Sequence, residues 1–404
     1  MKSFKMTPDK LMIGLFAVVL GVTSLMTVVL PKREMSENEN RSLAKMPTVV
    51  NAAKLKQAKN PADVWNSVKW SYINDRSGKA FKDDFEKFLC DHLAGREVWV
   101  KSSNSIQRMM GKKEINDVYT VDDRMIQLFK SYDADTVNAS LNAINSFAER
   151  FPDKQMCFML APTAQEFCTS RIPGYMGTIS EKAFIEDCYR KTPALTSIDC
   201  RSFLGSRMDE YIYYRTDHHW TSLGAFSAYQ SAANSLGYAA YGFDKFNIET
   251  ASSDFRGTLY SRTLDDGITP DIMEYYTLRQ NEPNVKMTCM NGTETKEYDS
   301  LYVREYLEQK DKYSSFTGSN VPIVTIETDV DNGKSLLMIK DSYAHSLVPF
   351  LSKHYSKITM VDMRYINIDL NRLIKLDEYQ QVLFMFNVIS FSEETNIAKL
   401  GLTK

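Results

Sequence analysis

The residues best suited to chemistry stand in one short run, Tyr214-Arg215-Thr216-Asp217-His218-His219-Trp220-Thr221. The chain holds only five histidines, so two of them beside an aspartate carry information. A serine hydroxyl is a poor nucleophile unless a base takes its proton. That base is usually an imidazole, oriented by a carboxylate that selects one tautomer and steadies the imidazolium. Asp217 and His219 are two apart on a turn, which lets both face one pocket. An extended turn would point His218 the other way, into packing.

The serine this pair would serve is Ser342. It follows a continuous apolar run, Ser335–Ile339, and precedes a helical pattern reaching Leu351. A serine on such a strand-turn-helix has an exposed side chain, and the helix start supplies amide donors and a positive dipole end. Arg364 and Asn387 likewise follow apolar runs, Lys357–Val361 and Val382–Phe386. In open α/β sheets, ligands bind beyond the carboxyl ends of strands. The expected catalytic set is therefore Ser342 as nucleophile, His219 as base and Asp217 as its orienting acid. Asn387, Arg364, Trp220 and Tyr343 are expected to bind the oxyanion or the substrate, helped by the backbone N–H near Ser342. An Asp217, His218 and His219 metal site, as in a metal-dependent hydrolase, is a competing use of the same run. No CxxC pair exists for a thiolate zinc site, and nothing in the sequence asks for a cofactor.

These residues need a scaffold. Val137, Leu141, Ile144 and Phe147 recur at helical spacing, with Asp135 or Thr136 placed to cap them. A fully apolar strand, Met156–Pro162, follows the break at Phe151-Pro152-Asp153. A helix feeding a wholly apolar strand points to α/β architecture with a parallel sheet. After the histidines, Leu223, Phe226, Tyr229, Ala233 and Leu236 form a second helical pattern, capped by Thr221 or Ser222 and stopped by Gly237. From about 240 to 320 the apolar runs shorten, and a β-rich and loop insertion is expected there.

The other end of the chain is of a different kind. Leu11–Leu30 carries no charge, and about 20 residues span a hydrocarbon layer of ~30 Å. It reads as an uncleaved signal-anchor within residues 1–33, followed by a linker or stalk at 34–64 and a domain at 65–404. With no second span, the bulk of the protein is expected outside the membrane. Lys+Arg is 49 against 51 Asp+Glu, a net charge of -2, so no basic excess exists for nucleic acid. Six cysteines in 404 residues are too few for a disulfide scaffold.

The tetrad at 217–220, with Phe255–Ser261 (FRGTLYS), Lys340–Leu351 (KDSYAHSLVPFL) and Val361–Asn367 (VDMRYIN), resembles the DHHW protein family. Glu39–Pro47 also resembles the entry to such domains. That family is similar to the alginate O-acetyltransferase-like proteins of bacterial cell surfaces, which have an SGNH-hydrolase-like fold. The resemblance implies a three-layer sandwich in which Asp217, His219 and Trp220 precede the Asp341-Ser342 motif, a circularly permuted order. It places the SGNH asparagine on Asn387; the usual glycine before Asp-Ser is Lys340 here. It further implies an acyl (O-acetyl) transferase or esterase acting on cell-surface or exported polysaccharide. The protein would be anchored on the extracytoplasmic face of a bacterial membrane and served by a membrane-bound acyl-donor protein. A non-catalytic surface protein binding glycans through the same fold is the alternative.

Overall fold

The computed structural model describes residues 7–75 and 77–403. The chain forms two compact units, Met1–Lys112 and Lys113–Lys404. In the first, α1 (Pro8–Val29) buries none of its residues and is long and apolar enough to cross a membrane. The stretch expected as a stalk contains a short strand pair, Met35–Ser36 with Arg41–Ser42, and helices Ala52–Gln57 and Pro61–Ser67. Then come α2 (Lys79–His92) and α3 (Arg96–Met109). Phe81, Phe85 and Phe88 stack along α2 at 6.2 and 6.5 Å, as their three- and four-residue spacing requires. Arg41 donates to both oxygens of Asp91, at 3.0 and 2.6 Å, and ties the strand pair to α2. The compact unit Lys113–Lys404 lies within the stretch 65–404 that the sequence reads as one domain.

The second unit is built on an eight-stranded mixed sheet. Its strands are β1 (Gln155–Ala161), β2 (Thr196–Ser197), β3 (Val285–Asn291), β4 (Glu294–Tyr298), β5 (Ile323–Thr328), β6 (Ser335–Lys340), β7 (Lys357–Val361) and β8 (Gln381–Asn387). Their spatial order is β4-β3-β5-β7-β6-β8-β1-β2. The five from β7 to β2 are parallel, and the other pairings are antiparallel.

The four inner parallel strands, β7, β6, β8 and β1, have apolar interiors because both faces are covered. Met159, Met338, Met360 and Met385 pack with α6 (Ser222–Leu236) and α8 (Ala344–Leu351). Phe158, Ile339, Val361 and Phe384 pack on the opposite face with α4 (Ala134–Arg150) and α5 (Glu181–Arg190). Three layers result, and each fully buried large apolar side chain contributes about 1.5–3 kcal/mol. The cap of α4 is Asp133, earlier than expected; Thr221 caps α6 and Gly237, at φ 67°, ends it.

A short part of the expected insertion, the hairpin of β3 and β4, belongs to the sheet. The rest holds an antiparallel pair, Phe246–Phe255 with Asp271–Leu278, and α7 (Thr258–Thr263). Phe255, Met273 and Tyr275 form a small core with Tyr214, Tyr313 and Phe316. All six cysteines are free, four of them buried.

Candidate active site

The site stands where β6 and β8 end side by side. Lys340 is in register with Met385, and the chain leaves β6 as Asp341-Ser342-Tyr343 before α8. Asp341 fastens this turn. Its Oδ2 accepts from both the backbone N–H and the side-chain amide of Asn387, each at 2.7 Å, and its Oδ1 accepts from the Tyr343 N–H at 2.9 Å. The second amide hydrogen of Asn387 goes to Ser390 Oγ at 2.7 Å, while its Oδ1 caps α9 (Val388–Glu393). Both hydrogens of the expected oxyanion donor are therefore committed inside the protein: Asn387 clamps two strand ends. The Ser342 N–H has no acceptor among the described residues.

Asp217, His219 and Ser342 meet across 123 residues of chain. His219 Nδ1 lies 2.5 Å from Asp217 Oδ1, and His219 Nε2 lies 2.7 Å from Ser342 Oγ. The His219 backbone N–H also donates to Asp217 Oδ1, at 3.0 Å. The other carboxylate oxygen accepts from the N–H and the hydroxyl of Thr258, at 2.7 and 3.0 Å. Burial alone would raise the pKa of Asp217. The adjacent imidazoles and the hydrogen bonds from His219 and Thr258 overcome this and hold the carboxyl well below its ordinary range. Asp217 and His219 are buried, whereas Ser342 keeps partial exposure. The hydrogen-bonded chain thus runs from a buried acid to an accessible hydroxyl.

Three residues with no assigned part in the sequence reading complete the geometry. Gly257 passes so close to Asp217 that a Cβ there would lie 2.2 Å from Oδ2 and 2.3 Å from the Asp217 Cβ. Thr258 follows it with its two donors. Both lie in the Phe255–Ser261 motif, which was the available signal. Tyr313 stacks flat on the His219 ring, 3.7 Å between centroids at 9°. Its hydroxyl donates to the Ser342 carbonyl at 3.2 Å and lies 3.1 Å from Ser346 Oγ. No local pattern marks Tyr313, which is brought in from a 3₁₀ turn 94 residues away.

The remaining expected site residues have other surroundings. Trp220 has no exposed surface; its indole N–H donates to the Tyr343 carbonyl (3.2 Å) and Ser346 Oγ (2.9 Å). A ring without free surface cannot stack on a sugar, so Trp220 supports the turn from beneath. Tyr343 is equally buried and donates its hydroxyl to the His218 carbonyl at 2.5 Å. Arg364 grips Asp362 through Nε and Nη2, at 2.8 and 2.5 Å, and lines a cleft with Lys340, Asp341, Phe386 and Ser390.

His218 does not point away. The backbone at 217–219 bends rather than extends, and the two imidazoles lie side by side, 3.8 Å between centroids. Burial, and then the neighbouring His219, push its pKa down to about 3. Asp217, His218 and His219 do offer ligand atoms within 4.8 Å of one another. In this arrangement, however, each Asp217 oxygen already accepts two hydrogen bonds, and both His219 nitrogens face protein partners. A metal would have to displace those contacts.

Fold and site together define an α/β protein whose acid, imidazole and hydroxyl are aligned as serine-based acyl chemistry requires. Residues 113–361 match the DHHW protein family, and the chain belongs to it. A DHHW family protein from Eubacterium siraeum is similar in structure, with 26% identity and a TM-score of 0.61, over 72% of this chain and 97% of that one. Bacillus cereus PatB1 is similar in fold, with 19% identity and a TM-score of 0.61, over 69% of this chain and 98% of that one. A second PatB1 structure, with a sulfonyl adduct, matches at 19% identity and a TM-score of 0.59, over 71% of this chain and all of that one. No curated protein matches the sequence.

Proposed function

We propose that this protein is a membrane-anchored, extracytoplasmic acyl transferase or esterase of SGNH-like, permuted layout, moving O-acetyl groups on or off cell-surface or exported polysaccharide. The observation that carries the chemistry is the aligned Asp217–His219–Ser342 chain, at 2.5 and 2.7 Å. The acetyl group and the polysaccharide rest on the family resemblance, and the anchor rests on α1. Ser342 Oγ attacks the acyl carbonyl while His219 Nε2 takes its proton. Asp217 steadies the imidazolium, and the Ser342 N–H is the open donor for the developing oxyanion. The imidazolium then protonates the leaving alkoxide, leaving an acyl-serine. A sugar hydroxyl or water gives its proton to His219 and attacks, releasing ester or acid and restoring Ser342. A membrane-bound partner would supply the acetyl groups for transfer. Arg364 sits beside this centre as a charged contact for substrate.

The test is release of p-nitrophenol from p-nitrophenyl acetate by the full-length protein in detergent. Ser342→Ala and His219→Ala are each expected to lower turnover by at least about 10³-fold. Wild type that releases nothing above background while binding glycans would establish the non-catalytic alternative instead.

A further inference from the structure

Within the Asp217–Trp220 turn, His218 is a partly exposed side chain with no part in the mechanism above, and its hydrogen-bonding state follows from the geometry. Asp217 Oδ2 can only accept from Thr258 Oγ1, because the carboxylate is ionised and holds no proton to give. The hydroxyl has a single proton, already directed at Asp217. Its contact with His218 Nδ1, at 2.6 Å, must therefore be one in which the imidazole donates. The neutral ring then carries its proton on Nδ1 and leaves Nε2 as a bare acceptor. Among the described residues nothing donates to that nitrogen. The His218 side chain is 26% exposed, against 5% for His219.

The direction of the open nitrogen also follows. Nδ1 of both imidazoles turns toward the Asp217–Thr258 pair. The rings lie 3.8 Å apart and are inclined by only 38°. Both Nε2 atoms, on the opposite ring edges, therefore turn away from that pair, and the one on His219 meets Ser342. A small hollow beside His218 is bordered by Gln127, Thr163, Leu259, Tyr343 and Asn387. Two imidazoles thus lie side by side, one with its acceptor nitrogen on Ser342 and the other with an acceptor nitrogen left open.

We infer that His218 is a specificity-determining residue for the acyl acceptor: it receives a hydrogen bond from a second hydroxyl next to the one that His219 deprotonates, so the site takes acceptors with adjacent hydroxyl groups. This rests on the acyl-transfer reading and deepens it. In the second half-reaction one hydroxyl of the acceptor gives its proton to His219 Nε2 and attacks the acyl-serine carbonyl. Its neighbour donates to His218 Nε2 without transferring a proton. The selectivity comes from the cost of an unpaired polar group, since a site built around a hydroxyl discriminates strongly against the analogue that lacks it.

The experiment forms the acetyl-enzyme from p-nitrophenyl acetate and divides it between water and added cis-1,2-cyclohexanediol or cyclohexanol. The burst of p-nitrophenol reports acylation of Ser342, and the acetylated products report capture. Wild type is expected to favour the diol over the monoalcohol at least about tenfold per hydroxyl. His218→Phe is expected to bring that ratio close to unity. His218→Gln, which keeps an acceptor oxygen within reach, is expected to restore part of it. A burst with equal capture of diol and monoalcohol by wild type overturns the inference and leaves acyl transfer standing, and needs no variant to fold. An undiminished preference in His218→Phe overturns it as well. A wild type without a burst removes the acyl-transfer reading and this inference with it.

Discussion

Two polar networks lie near the end of β6, each holding an aspartate and a histidine. One is Asp217, His219 and Ser342. The other is Lys340, Asp362, Arg364 and His345: Lys340 Nζ lies 2.9 Å from His345 Nε2 and 3.4 Å from Asp362 Oδ2, Arg364 holds Asp362 with two donors, and Thr317 meets His345 Nδ1. Lys340, Asp362 and His345 are at most 3% exposed. In the second network Lys340, Asp362 and His345 answer one another inside the protein, and only Arg364 reaches the surface. The first ends on a partly exposed hydroxyl that nothing beyond His219 claims among the described residues. An acid, an imidazole and a third polar group are thus a structural brace or a reactive centre according to whether the chain of hydrogen bonds has a free end.

The comparison can be broken at several points. Asp217→Asn leaves the volume of the first network intact but removes the charge that orients His219, so ester turnover should fall by about 10⁴-fold; a fall of less than tenfold would place the imidazole under other control. Asp362→Ala in the second network should act on stability, leaving Lys340 without its counter-ion at a cost of about 3–5 kcal/mol in denaturant unfolding. Burial would raise Asp362, but the Arg364 hydrogen bonds and then Lys340 hold its carboxyl below the usual range. Its contribution to stability is therefore fully present above about pH 4 and is lost as the pH drops below that. Asp362→Asn should flatten that acid limb, and an unchanged limb would remove Asp362 from the account.

Smaller changes sharpen the boundary between the two. Gly257→Ala drives a methyl group into Asp217 and should cost about 1–3 kcal/mol of stability, together with most of the turnover; full activity would mean that Thr258 and Asp217 separate freely. Tyr313→Phe keeps the ring on His219 but loses the hydroxyl contacts to Ser342 and Ser346, a loss of about 1 kcal/mol. It should lower kcat several-fold with KM unchanged, and a change confined to KM would reassign Tyr313 to substrate contact.

Much of the scaffold was legible because it is local. Ser335–Ile339, Lys357–Val361 and Val382–Phe386 read as buried strands from unbroken apolar runs, and they are β6, β7 and the interior of β8. Thr221 and Gly237 marked both ends of α6. Other features depend on a distant partner that no local pattern names. The aromatic spacing of Phe81, Phe85 and Phe88 describes a helix without saying which core it serves. The stretch near 240–320 reads as β-rich and looped, but the pairing of β3 with β5 that joins part of it to the central sheet is not written in any short run.

What the amino-acid sequence determined by itself is the set of groups available: one Asp and two His on a bend, a serine after an apolar strand, and a glycine and threonine in a motif of the family it resembles. The tertiary structure alone decided which of them touch. Trp220 lost its free surface, Asn387 turned inward to Asp341, Tyr313 came to lie on His219, and Gly257 met Asp217 across 40 positions. The physical reason is range. Strand alternation, helix period and capping act over a few residues and are written in spacing. A side chain's exposure and hydrogen-bond partner depend on what the rest of the chain packs against it, and no short stretch of sequence carries that.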